Sequence, residues 1–203
     1  PFLWNNFSIT NYYTYIKDLE NLDYHPSTAK NIRKAKQRNY VCREEEMDEL
    51  SLSLNLKLFS DLKVYGAKKI QSIGQLMNSL SESAYLKSFN CYLDDKLVAS
   101  NLILLDEKYK VAYTILLNKT SRAIKDDVHS LLHDFFFAKL KGDGYLLVDL
   151  LGGDMKSIAA FKSRFKAELQ PHFLVRYSKR EAIVKIGIVK VKNFAKLVLK
   201  NFS

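Results

Sequence analysis

The sequence predicts a mixed α/β fold in which a central, largely antiparallel sheet is flanked by helices. Residues 26–80 are rich in segments with the apolar spacing of helices. Three apolar runs joined by short polar connections then occupy residues 85–117, which indicates an antiparallel meander. The alternation of helix, strand, helix and strand that follows adds helices to the same sheet.

The first elements are a strand, a basic helix and a short strand. Aromatic and β-branched residues predict a strand over Tyr12–Leu19. Pro26 opens a helix to about Arg38, with Ser27 or Thr28 as its cap. The apolar stripe of this helix is thin, and Tyr40–Arg43 is the next strand candidate; the stripe consists of Ala29, Ile32 and Ala35.

Two helices and the meander follow. A helix from Met47 to about Val64 would bury a leucine stripe formed by Leu50, Leu54, Leu58 and Leu62. Gly66 is a natural stop, and a second helix covers Ile70–Leu80. The three strands of the meander are predicted at Tyr85–Leu93, Leu97–Leu105 and Tyr109–Leu117.

The last third of the chain alternates helices and strands. A helix runs from about Asp126 to Lys141 and ends at Gly142-Asp143-Gly144. The apolar run Tyr145–Leu151 predicts a fully buried strand. Gly152 and Gly153 turn the chain. Asp154 would then cap a helix to about Lys166, and the last strand is predicted at Phe173–Tyr177.

Charge and composition limit the possible partners. The chain has 203 residues and a net charge of +10, which implies an anionic partner such as a nucleotide, a nucleic acid or an anionic lipid. It contains no apolar run long enough to span a membrane. The two cysteines, Cys42 and Cys91, are expected to be free thiols of a reducing compartment. His129 and His133 share a helix face but lack a third ligand, so no metal site is predicted.

Three stretches in this order resemble the GNAT superfamily, and within it the Fem-type aminoacyltransferase branch. They are the basic helix STAKNIRKAKQRNY (27–40), the hairpin DDKLVASNLILL (94–105), and YLLVDLLGGD (145–154) followed by IAAFKSRF (158–165). The resemblance covers about Tyr12 to Tyr177 and implies an acyltransferase fold and activity. Fem-type enzymes contain two such domains, so we expect this chain, which begins at Pro1, to be one half of a longer protein.

The chain departs from the family pattern at two places. Acetyl-CoA-dependent members carry a glycine-rich loop whose N–H groups cradle the pyrophosphate at a helix start. The corresponding residues here, Asn118–Ser130, contain no glycine, and Asp126 and Asp127 would repel a phosphate. This difference favours aminoacyl-tRNA over acyl-CoA as the donor. Lys166 stands where glycine is expected after the Phe-Lys-x-x-Phe pattern, which leaves the turn geometry open.

The resemblance implies a functional lysine at Lys162, between Phe161 and Phe165. Acyl transfer to an amine passes through a negatively charged tetrahedral intermediate, which a fixed cation stabilises. Asp149 ends a strand expected to be buried, where a carboxylate needs a partner. It is a candidate to orient Lys162 or to accept the proton of the amine, while a turn contact to the glycine pair is the structural alternative. A solvated helix lysine is the corresponding alternative for Lys162.

The basic helix is the second candidate site. Lys30, Lys34 and Arg38 are spaced four residues apart on one face, and Arg33 lies beside them. We interpret these four residues as a surface that binds substrate phosphates; a solvated face is the alternative. Residues 181–203 form a basic tail outside the predicted domain of residues 1–180. The β-branched residues of Ile183–Val191 also suit a strand, but we favour an amphipathic helix for a membrane surface or for packing on a missing half.

The functional hypothesis is transfer of an aminoacyl or acyl group to an amino group, with a cell-envelope precursor as the candidate acceptor. No permanently bound cofactor is expected, and the donor would be aminoacyl-tRNA or acyl-CoA. One alternative is an acetyl-CoA-dependent N-acetyltransferase with an atypical cofactor loop. The other is a non-catalytic module that binds anions, since folds host many functions. The predicted location is the cytoplasm, including the inner membrane face.

Overall fold

The computed structural model describes residues 7–178, so the predicted tail of residues 181–203 lies outside the described residues. Residues Thr14–Gln170 form one compact unit, and the described residues 7–13 and 171–178 belong to a second one. The helices are α1 (Pro26–Lys36), α2 (Glu49–Asp61), α3 (Ala67–Ser81), α4 (Ser121–Lys125), α5 (Val128–Gly142) and α6 (Lys156–Ser163). The strands are β1 (Phe7–Asp18), β2 (Val41–Glu45), β3 (Leu86–Leu93), β4 (Lys96–Asp106), β5 (Val111–Lys119), β6 (Leu147–Asp149) and β7 (Glu168–Tyr177).

Within residues 7–178, the sheet has seven strands in the order β2-β3-β4-β5-β6-β1-β7. Strands β2 to β5 pair antiparallel through the predicted meander, and β6 pairs antiparallel with β1. Only β5 and β6 are parallel among the pairs whose register is defined in the larger unit. The predicted fold class, a largely antiparallel mixed sheet flanked by helices, is confirmed.

Two apolar clusters cover the opposite faces of the sheet in the larger unit. The larger cluster joins Ala99 and Ile103 of β4 to α5, which contributes Phe136 and Phe137. The smaller cluster joins Leu102 of the same strand to α2 and α3 through residues such as Met77. Successive side chains of a strand point to opposite faces. One strand therefore supports both helical layers, and α5 meets the carboxyl end of β5 through the contact of His129 with Lys119.

The leucine stripe predicted for α2 is wrong. Leu50 and Leu62 are largely exposed, and the buried positions are Ser51, Leu52 and Asn55. Ser51 completes a capping box with Asp48, while the Asn55 amide donates to Ser100 Oγ on β4 at 2.9 Å. Leucine occurs on several faces of this helix, so its spacing alone did not identify the face that the polar contacts turn inward.

Helix starts also differ from the predictions. The cap of α1 is His25, whose side chain accepts from the Ser27 N–H, with Pro26 as the first helical residue. The N-cap position of α6 is Met155, not Asp154, and its side chain makes no capping hydrogen bond. The predicted start of the next helix at Asp126 becomes a break between α4 and α5, where Asp127 has a φ of 53°.

Strand β6 is shorter and less buried than predicted. It spans three residues, and Leu146 and Leu147 are exposed, while Tyr145, Val148 and Leu150 are buried. Because β6 pairs with β5 over only three positions, the rest of the apolar run does not form a continuous central strand. None of the helices within residues 7–178 is long and apolar enough to cross a membrane.

Candidate active site

A wedge opens where the parallel pair β5–β6 ends. The register runs from Val111–Leu147 to Tyr113–Asp149, after which β5 continues to Lys119 while the chain after Asp149 leaves the sheet toward α6. Ligands of open α/β sheets bind outside the carboxyl ends of strands that diverge in this way. We define the wedge by the residues 114–119 of β5, the loop 150–155 and the start of α5.

Lys162 reaches this wedge from α6. Its Nζ donates to the carbonyl oxygens of Leu150 at 2.6 Å and Gly152 at 3.0 Å, and also to that of Leu151. Leu151 and Gly152 both have positive φ values, 51° and 43°. In this left-handed turn, the three carbonyl oxygens point toward the same ammonium group. An ammonium has three N–H donors, so the loop occupies the full donor capacity of Lys162.

Burial changes the acid–base properties of Lys162. Desolvation lowers its pKa to about 8, although the charges of Asp149 and Asp154 act in the opposite direction. The three carbonyl dipoles and these carboxylates therefore hold a cation where water contributes little. A lysine with this pKa changes its charge close to neutral pH, which is typical of functional sites as well as of buried ion pairs.

Asp149 has the contacts of a residue that shapes the loop. Its Oδ1 accepts the Leu151 N–H at 2.8 Å and the hydroxyl of buried Thr14. Its backbone oxygen accepts from Thr114 Oγ1 at 3.4 Å. The carboxylate thus links the end of β6 to β1 and to the turn, while the backbone oxygen of the same residue links it to β5. It contributes to Lys162 through charge, while its hydrogen bonds go to the turn.

Sequence reasoning missed a second lysine at the wedge. Lys119, the last residue of β5, lies within hydrogen-bond distance of His129 Nδ1 on α5, and its Nζ lies 5.9 Å from the centre of the Phe161 ring. Burial lowers the pKa of Lys119 to about 8, against the opposing charge of Asp127. The only available signal was its place at the end of a strand, where charged residues are common.

The two histidines of α5 are buried beside the lysines. Burial, followed by the charge of Lys119, lowers the pKa of His129 well below its usual range. Burial lowers that of His133 to about 3. His133 stacks on Phe165 at a ring distance of 4.8 Å, and its Nδ1–H donates to the His129 carbonyl oxygen at 2.7 Å. Among residues 7–178, no group of His, Cys, Asp and Glu has the arrangement of a metal site.

The basic residues predicted on α1 lie on its exposed side. Lys30, Arg33 and Lys34 are exposed, while Ile32 and Ala35 are buried against the core. Arg38 lies beyond the end of the helix and forms an ion pair with Asp126, with which Arg122 also pairs at 3.4 Å. Arg38 lines a cavity of about 620 Å³ whose lining does not include Lys162.

No protein-family model and no curated protein matches the sequence. Solved structures do match the fold. The C-terminal domain of a putative lysylphosphatidylglycerol synthetase from Agrobacterium fabrum is 12% identical with a TM-score of 0.56, covering 93% of this chain and 67% of that chain. L-PGS from Bacillus licheniformis is 13% identical with a TM-score of 0.60 and the same coverage, 93% and 67%.

FemX is 11% identical with a TM-score of 0.63, and the match covers 78% of this chain and 59% of FemX. The chain therefore spans about two thirds of the length of the two synthetase structures and less of FemX. At these identities the comparison establishes the fold. The chain shares the fold of FemX and of the two synthetase structures, which agrees with the Fem-type fold that its sequence motifs predict.

Proposed function

We propose that this chain is an acyltransferase domain that transfers an aminoacyl or acyl group to an amino group. The observation that carries the proposal is Lys162, a desolvated cation held at the open end of the β5–β6 pair. In water such a charge would be screened, but in a partly dry wedge it acts strongly on a nearby oxyanion. The shared fold with FemX and the synthetase domains supports the same reaction class.

In the reaction, the amine nitrogen attacks the acyl carbonyl carbon, and the carbonyl oxygen becomes negatively charged. Collapse of this intermediate breaks the bond to the leaving oxygen or sulfur, which takes up a proton as the amine loses one. Lys162 stabilises the oxyanion when the substrate oxygen replaces one of its three carbonyl acceptors. Asp149 maintains the loop conformation that presents this cation and is the proposed partner for the departing proton.

The donor is aminoacyl-tRNA in the first version of the proposal and acyl-CoA in the second. Residues 118–130 contain no glycine, and α4 occupies part of this segment, so it does not resemble a pyrophosphate loop. This feature supports the aminoacyl donor. The name of the synthetase structures describes an aminoacylated anionic lipid, which agrees with an anionic envelope precursor as acceptor. We place the reaction in the cytoplasm, at the inner membrane face when the acceptor is lipid-linked.

One observation favours the non-catalytic alternative, an anion-binding module. All three N–H groups of Lys162 already have carbonyl acceptors within the loop. In that case, Lys162 would only stabilise the turn, and the exposed cations of α1 would bind the anion. These cations are Lys30, Arg33 and Lys34.

Transfer assays with labelled aminoacyl-tRNA and acyl-CoA, each with an amine acceptor, test the proposal. The Lys162→Ala variant should lower kcat about 10²–10³-fold, as expected for loss of an oxyanion donor. Lys156→Ala, an exposed lysine of the same helix, is the matched control and should leave the rate unchanged. Equal rates in both variants, with folding verified by circular dichroism, would support the binding module instead. The donor that is consumed shows whether the enzyme uses aminoacyl-tRNA or acyl-CoA.

A further inference from the structure

A cavity of about 620 Å³ lies between the end of α1 and α4, and the wedge residues do not line it. Its lining is Arg38, Asn39, Tyr40, Leu93, Arg122, Lys125 and Asp126. The volume falls in the range of small-molecule sites, roughly 300–1,000 Å³. The lining combines cations on α4 and at the end of α1 with the side chain of Leu93 from the β3–β4 hairpin.

The arginines of this cavity are held in place by one carboxylate. Asp126 pairs with Arg38 and with Arg122, and it accepts the hydroxyl of buried Tyr40 at 2.6 Å. These contacts, led by the Tyr40 hydrogen bond, keep the pKa of Asp126 below its usual value. Asp126 therefore stays ionised at neutral pH and fixes both guanidinium groups at the cavity wall.

Positive charge remains after this pairing. Three cations line the cavity with a single acid, so two positive charges are uncompensated. The side chains of Arg38 and Arg122 are 50% and 69% exposed, whereas that of Asp126 is only 14% exposed. The acid is thus screened from an incoming ligand by the arginines that it orients, and the expected repulsion of a phosphate by Asp126 does not apply to this geometry.

We propose that this cavity binds a phosphate ester of nucleotide size. The phosphate would contact the guanidinium groups of Arg38 and Arg122 and the ammonium of Lys125, since guanidinium forks match phosphate oxygens. The ribose and base would lie toward Leu93. The choice of a nucleotide rests on the proposed function, because both candidate donors carry nucleotide phosphates, but the binding itself requires no acyl transfer.

The test is a binding titration of the whole chain by calorimetry with three probes: pyrophosphate, ADP and a short 5′-phosphorylated RNA. Arg122→Ala/Lys125→Ala should weaken the Kd for ADP at least about tenfold, because two charge-assisted contacts are lost. The control, Lys68→Ala/Lys69→Ala, removes the same charge from exposed positions of α3 and should change the Kd less than about twofold. Lys125→Glu provides a second variant at an exposed position, should the double variant fail to fold.

The result decides both the site and the source of the phosphate. Binding of ADP and RNA with matching losses in the cavity variants supports a nucleotide site, and binding of RNA alone assigns the phosphate to a polynucleotide. Absence of binding by all three probes, or equal weakening in the α3 control, overturns the proposal. A cavity variant that loses binding while Lys162→Ala transfers normally would reject the proposed enzyme and keep this site. Loss of transfer in Lys162→Ala, together with ADP binding that the cavity variants do not change, would support the proposed enzyme and reject the cavity site.

Discussion

The wedge and the surface of α1 and α4 both present lysines and arginines, but their surroundings differ. At the wedge, Lys162 and Lys119 are largely removed from water, and burial lowers the pKa of each to about 8. At the end of α1, just beyond it and on α4, the side chains of Lys36, Arg38 and Arg122 are at least half exposed and pair with Asp134 or Asp126. We therefore propose two tasks for the same residue types: charge stabilisation in a site from which water is largely excluded, and recognition of an anion at a solvated one.

This difference shows that the position of a cation relative to the sheet determines how strongly its charge interacts with another charge. A charge at the end of diverging strands loses solvent, and its interaction with a developing charge increases. A charge on an exposed helix face keeps its solvent and contributes weakly as an individual pair, although several together attract a polyanion. The predictions below test this distinction, from the largest expected effect to the smallest.

The largest effect is expected on the pH dependence of transfer. If the ammonium form of Lys162 is active, kcat at saturating substrates should fall about tenfold per pH unit above pH 8, because the cation is lost as pH rises through its pKa of about 8. Lys162→Arg should remove this alkaline decline, since a guanidinium stays charged. Rates measured across the alkaline range check this. A decline that persists in Lys162→Arg but disappears in Lys119→Arg would assign it to Lys119 instead.

The buried histidines should make the protein sensitive to acid. The pKa of His133 is lowered from 6.5 to about 3 in the folded state, so the unfolded chain binds more protons between these values. Stability is then unaffected above pH 6.5 and falls as pH decreases below it, by up to about 3 kcal/mol at about pH 4.5. Denaturant titrations should show a smaller loss between neutral pH and this value for His133→Phe. An unchanged loss would assign acid sensitivity to other groups.

Charge reversal on α1 should weaken binding of a polyanion without affecting the wedge. For Arg33→Glu/Lys34→Glu we expect about tenfold weaker tRNA binding. The slope of the logarithm of the binding constant against the logarithm of the salt concentration should become shallower by roughly 0.9 for each phosphate contact that is lost. Filter binding at several salt concentrations measures both quantities. Lys68→Glu/Lys69→Glu on α3 is the control for net charge. Similar losses in both double variants would show that binding depends on total charge and not on α1.

The smallest effect concerns the turn after α6. Lys166 has a φ of 54°, a left-handed conformation that glycine adopts without steric cost. Replacing it by glycine should stabilise the fold by about 0.5 kcal/mol, as relief of strain exceeds the added freedom of the unfolded chain. Thermal unfolding compares the two proteins. Lys166 also forms an exposed ion pair with Asp23, which the glycine would remove. The comparison is therefore repeated in the Asp23→Asn background, where this ion pair is absent. If Lys166→Gly lowers the stability in that background, the strain argument is contradicted.

Lys166 shows that a sequence motif can predict a backbone conformation even where the residue itself differs from the motif. Its place after Phe-Lys-x-x-Phe predicts glycine, and the structure keeps the conformation that glycine would have, although lysine occupies the position. The left-handed turn is thus a property of the local backbone, which the motif describes. The leucine stripe of α2 shows the opposite case, because Asn55 and Ser51 face inward only as a result of contacts with Asp48 and β4.

The sequence by itself determined the order of helices and strands, the meander and the family resemblance, because apolar periodicity and turn residues are local signals. It also placed Lys162 and the cations of α1 as candidates. Only the tertiary structure decided that Lys119 joins Lys162 at the wedge, that three carbonyls bind the Lys162 ammonium, and that Asp126 holds Arg38 and Arg122 at one cavity. These arrangements bring together residues distant in sequence, and their energies depend on burial, which a local pattern does not specify.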